Sequence, residues 1–136
     1  MTPTLDSTRS YLFLFFLTLI FSQPIDLFAT VYYVNTNVVG GNQDGSSWEH
    51  AFPDLQNALD VALNGDDIWV AKGTYYPTND GDRNVFFRLI KGVEWYGGFE
   101  GWETEENERD WETNVTILSG DIGIPGDNSD NSYTVV

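Results

Sequence analysis

Three aspartates, Asp121, Asp127 and Asp130, fall within "GDIGIPGDNSDN" (120–131), among amides and hydroxyls. Hard cations such as calcium take six to eight oxygen ligands, and a loop of this make-up can offer several. It is the best metal candidate in the chain, and calcium is the one cofactor the sequence suggests; a solvated polar connection is the plainer reading. "NQDGSS" (42–47) and "TNDGDRN" (78–84) also look like pieces of calcium loops. In the twelve-residue pattern with glycine at position 6, however, Gly45 puts Gly40 at the first place and Ala51 at the last, and Gly81 puts Tyr76 and Phe87 there. None of these has a side-chain carboxylate, so both segments read as Asx-Gly turns.

Two tryptophans, Trp102 and Trp111, flank the acidic run "ETEENERD" (103–110) and are candidates for carbohydrate binding, because an indole face packs on the C–H face of a pyranose. Trp69 and Trp95 lie in strand-like segments and read as core. His50 is the only histidine, so a zinc site or a Ser-His-Asp set would have to use it. No nucleophile motif surrounds it, and "WEHAF" reads as the approach to a helix. A glycosidase needs two facing carboxylates, but with so many acids a close pair carries no weight. Asp66 and Asp67 read as solubilising, and Lys72, Arg83, Arg88, Lys91 and Arg109 as partners for nearby acids. "NVT" (114–116) has the glycosylation form but opens a strand. We therefore expect no catalytic residue in this segment.

These residues must be positioned by some fold, and composition limits which. The chain has 136 residues, six basic and 21 acidic, for a formal charge of −15. Residues 1–29 read as an export signal: Arg9, then the apolar run "YLFLFFLTLIF" (11–21), then Pro24 and a small residue at Ala29. The run is too short for the roughly 20 residues of a membrane span. Residues 30–136 form the expected domain, with 19 acids and five bases. That surface repels phosphate backbones and argues against nucleic acid as a partner. Cysteine is absent, which excludes disulfides and thiolate metal sites. Five Trp, six Tyr and four Phe within 30–136 argue against a disordered acidic tail.

One helix is expected. In "PDLQNALDVALNGDD" (53–67), Leu55, Ala58, Leu59, Ala62 and Leu63 make one face, with Asp54 as cap and Gly65 as the left-handed stop. Short strands are expected at "TVYYVNTN" (30–37), "IWVA" (68–71), "FFRL" (86–89), "VEWYG" (93–97), "VTIL" (115–118) and "YTVV" (133–136), each bounded by turn residues. Equivalent positions recur at Ile68, Val93, Thr116 and Thr134, at intervals of 25, 23 and 18 residues. Such recurrence points to a repeat architecture. The partner of Ile68–Ala71 should then be a parallel strand one winding later, near Val93–Gly97, and the helix should cover the open edge of the first winding. An antiparallel sandwich would need hairpin turns, and "IKG" (90–92) is the only tight one.

The segments "YYVNTN", "DGSSWEHAFPDLQNALDVA", "GDDIWVAKGTYYPT", "FRLIKGVEWYGGFEG" and "RDWETNVTILSGDIG", in this order, resemble the N-terminal region of secreted bacterial right-handed parallel β-helix (pectin-lyase-like) surface proteins. "DNSYTVV" (130–136) resembles the next coil, with Thr134 where the family often has histidine. The resemblance implies a mainly β solenoid: an N-terminal capping helix and the first few coils, the front end of a longer protein. Its partners would be downstream coils of the same chain and a polysaccharide or cell-surface glycan, with no stable membrane span after signal removal. The expected role is a glycan-binding or adhesion scaffold, secreted or on the bacterial outer surface. The alternative is the N-terminal part of a polysaccharide lyase or glycoside hydrolase whose active site lies in further coils.

Overall fold

A computed structural model of the chain describes residues 29–136; the expected export signal, apart from Ala29, lies outside them. Its order is β1 (Val31–Val34), α1 (Leu55–Val61), β2 (Asp67–Ala71), β3 (Gly73–Tyr75), β4 (Glu94–Phe99), a 3₁₀ turn (Glu106–Glu108) and β5 (Thr116–Leu118). Every strand pairing is parallel. One sheet has the order β1-β2-β4, and a second joins β3 to β5. The expected neighbour of Ile68–Ala71 is the observed one: Ile68 stands opposite Trp95 and Trp69 opposite Tyr96.

Strand β3 was not expected. Lys72-Gly73 reads as a stop, because glycine there breaks the apolar run. In the structure Gly73 takes φ +146 and turns a corner, after which the chain is extended again, in the second sheet. This also corrects the repeat. Thr116 does not continue the ladder through Val93; it pairs with Gly73. The expected strands 86–89 and 133–136 are not formed as such. Residues 83–87 still run beside 133–135 in the same direction: the Tyr133 N–H donates to Arg83 O and the Phe87 N–H to Val135 O, both at 2.9 Å.

Side chains alternate across the first sheet. Tyr32, Ile68 and Trp95 stand in register on the inner face, as do Val34 and Val70, and join a core with Leu55, Ala58, Leu59, Tyr75 and Phe87. Tyr33, Trp69 and Tyr96 line up on the outer face. There Trp69 stacks on Phe99 (4.8 Å, 10°), while Trp48 meets Tyr33 edge-on (4.8 Å) and sends its Nε1–H to Glu103 O (2.8 Å). Trp69 and Trp95 are thus packed, on opposite faces of one sheet.

The helix is shorter than its apolar stripe. Asp54 accepts from the Gln56 N–H (2.9 Å) as the cap, but the backbone is extended at Ala62, and Leu63 is 64 % exposed. Gly65, at φ +99, lies in the turn that follows. Asp66 is buried there and joins the elements: its carboxylate accepts from the N–H groups of Thr30 (2.9 Å) and Leu63 (2.8 Å). It is a structural link, not a solubilising charge.

The edge of β1 is covered, though not by the helix. Tyr33 N–H donates to Gly45 O, Phe52 N–H to Tyr33 O and Asn35 N–H to Phe52 O, each at 2.9 Å. A helix consumes its backbone groups internally and has none to offer a strand edge. An extended loop can pair with that edge, while α1 covers the apolar interior behind it.

Candidate functional site

The three loop aspartates do not converge. Asp121 accepts from the Gly126 N–H (2.9 Å), Asp127 from that of Ser129 (2.9 Å) and Asp130 from that of Ile124 (2.8 Å). Each carboxylate tightens its own turn. In the amide orientation that satisfies its donors, Asn131 gives N–H groups to Asp121 Oδ1 and Asp127 O, both at 3.2 Å. Among the described residues, no group of three or more acidic, histidine or cysteine side chains is placed to hold a metal ion. His50 is engaged locally, its Nδ1 accepting from the Asn42 N–H (2.9 Å). Asn114 is buried, with its amide turned to Glu100.

The two candidate tryptophans are exposed, Trp102 by 67 % and Trp111 by 66 %. They differ in setting. Trp102 caps a tight turn organised by Glu103, whose carboxylate accepts from the N–H groups of Glu100 (2.6 Å), Gly101 (2.9 Å) and Trp102 itself (3.0 Å). Burial works against the charge on Glu103, but these donors prevail and hold its carboxyl below the usual carboxylate range. Trp111 belongs to a larger surface beside β4. Its backbone packs on Gly98, where a Cβ would lie 2.9 Å from Trp111 N. The Arg109 guanidinium lies over the Trp111 ring at 5.5 Å and over the Tyr96 ring at 5.1 Å. Arg109 also grips Glu106 through Nε (3.0 Å) and Nη2 (2.9 Å).

Tyr96 continues this surface as the last member of the outer aromatic row. Its hydroxyl donates to Glu94, which pushes its pKa up to about 12. Glu94 stands opposite Asp67 in the β2–β4 ladder. Partial burial and the charges of Glu94, Glu106 and Asp66 push the Asp67 carboxyl up. The result is a strip of Trp111, Arg109 and Tyr96 bordered by Asp67, Glu94 and Glu106. The sequence signalled Trp111 alone; Tyr96 and Arg109 are 13 positions apart and meet only because the chain returns past β4.

A concavity of about 230 Å³ opens between α1 and the segment before β4, lined by Gln56, Leu59, Asp60, Phe86, Arg88 and Ile90. No helix among the described residues is long and apolar enough to cross a membrane.

The fold and site define a parallel-stranded β protein with an exposed aromatic strip. No protein-family model, curated protein or solved structure matches the chain.

Proposed function

We propose that this chain is the N-terminal part of a secreted or cell-surface right-handed parallel β-helix protein, and that it acts as a glycan-binding or adhesion scaffold with no reaction of its own. Support for the winding architecture comes from the order of pairing. Segment β2 runs beside β4, β3 beside β5, and residues 83–87 beside 133–135, all in the same direction. Three sides that each meet their counterpart further along the chain are what stacked windings require.

The observation that carries the binding role is the exposed Trp111 ring aligned with Arg109 and Tyr96. A flat indole held by a cation and rooted on a glycine is a rigid platform for a sugar's C–H face, and ordering it costs little on binding. Glu106 and Glu94 at its border accept hydrogen bonds from hydroxyls. Glycan binding followed by tryptophan fluorescence tests this reading. Trp111→Ala should abolish a response that Trp102→Ala leaves largely intact. Absence of response to any glycan in a broad array would end the proposal.

A further inference from the structure

We infer that the surface running from Trp111 across Tyr96 to Glu94 selects a glycan bearing free, protonated amino groups, such as a glucosamine oligomer, over a neutral or acidic one. This rests on the glycan-binding reading above and names its ligand class.

The argument is charge complementarity at a stacking site. Three carboxylates border the strip: Asp67, Glu94 and Glu106. Among the described residues, Arg109 is the one cation placed over its rings, and its Nε and Nη2 donors are already engaged by Glu106. Asp67 and Glu94, opposite each other on neighbouring strands, keep like charges side by side. Among the described residues, the charges that push the Asp67 carboxyl up, after partial burial, are Glu94, Glu106 and Asp66, all of its own sign. A ligand cation there relieves that repulsion, whereas a uronate or sulfate adds to it.

The aromatic part favours a sugar over a simple polyamine. The Arg109 guanidinium spans the step from the Trp111 ring to the Tyr96 ring, 5.5 and 5.1 Å from their centroids, and the Tyr96 hydroxyl reaches Glu94, so an oligosaccharide that leaves Trp111 along the strip runs towards the Glu94 and Asp67 carboxylates. An amino group on a unit beyond Trp111 can then pair with one of these carboxylates while the Trp111 stacking contact is kept. Acetylation removes the charge and leaves the ring, so it isolates the electrostatic part.

The test is titration of the full chain, at mildly acidic pH and low salt, with a glucosamine oligomer, its N-acetylated counterpart of equal length and an oligogalacturonate. The free-amine oligomer should bind about fivefold or more tightly than the acetylated one, as one or two partly exposed ion pairs imply. That advantage should shrink with added salt. In the double variant Asp67→Asn/Glu94→Gln it should disappear while the acetylated oligomer still binds, and Trp111→Ala should lose both. Circular dichroism confirms that each variant is folded. Equal affinity for the two oligomers, or preference for the uronate, would overturn the inference and leave the glycan reading standing. Binding of none of the three, here and across the array, would remove both.

Discussion

Among single residues, Glu103 shows what a carboxylate does when the backbone supplies its partners. It is 3 % exposed and collects three N–H groups from one turn. Glu103→Ala leaves those donors without an acceptor and should cost about 2–3 kcal/mol, measured by urea unfolding. Its folded pKa lies below the unfolded one. Its contribution is therefore complete above the unfolded value and fades as pH falls through the folded value. Asp67 has the opposite sign. Its carboxyl is pushed up, so ionising it in the folded protein is disfavoured, and stability declines as pH rises from the unfolded pKa through the folded one. Asp67→Asn should raise the melting temperature at neutral pH and change little at a pH below the ordinary aspartate range, where the wild-type side chain is protonated in both the folded and the unfolded chain. A lower Tm at neutral pH would contradict this account. Tyr75 is a third case. Its buried hydroxyl donates to Ala71 O (2.9 Å) and accepts from the Thr36 N–H (3.3 Å), and burial pushes its pKa up to about 12.

At the scale of elements, the loop that covers β1 depends on one glycine. Gly45 has φ +75, is buried, and gives its carbonyl to Tyr33. A Cβ there would run into the Phe52 ring and lie 3.2 Å from Tyr32. Gly45→Ala should destabilise the chain by about 2 kcal/mol or more, through strain and overpacking together. Thermal or urea melts check it. Gly40, also at positive φ but with open space around it, is the control: Gly40→Ala should cost less. The cap of α1 is worth less again, and Asp54→Ala should cost about 1 kcal/mol. A helix of seven residues is too short to be stable by itself, so its buried Leu55, Ala58 and Leu59 must hold it.

At the scale of the molecule, the two edges of the first sheet are unlike. The edge of β1 is bonded to Gly45 and Phe52. Beyond β4, the Glu94 N–H points back to Asp66 O, so the Trp95 N–H, next along the strand, faces away from β2; further on the register shifts, and the Asp110 N–H donates to Gly98 O at 2.7 Å. Hydrogen exchange should show Tyr33 and Ile68 strongly protected and Trp95 exchanging much faster. Equal protection at Trp95 and Ile68 would mean that the edge is covered. A glycan-binding strip beside β4 and the outward N–H of Trp95 on the same strand also separate experimentally, because Trp111→Ala should leave the exchange of Trp95 unchanged.

The local chemistry of this chain was legible without coordinates. Asp54 as cap, the stripe from Leu55 to Leu63 in all but its exposed last member, and the strands at Val31, Asp67, Glu94 and Thr116 follow from side-chain type and period, which act over a few residues. So did the partner of Ile68. Tertiary structure decided the rest. A glycine at Lys72-Gly73 is the same sequence signal whether the chain stops or turns a corner, and only the ladder to Thr116 distinguishes the two. Whether Asp66 meets water or the Thr30 and Leu63 N–H groups, and whether Asp121, Asp127 and Asp130 face one another or their own backbone, depends on where distant segments lie. The strip at Trp111, Arg109 and Tyr96 exists for the same reason: contacts between residues far apart in sequence are set by packing, and packing leaves no local pattern to read.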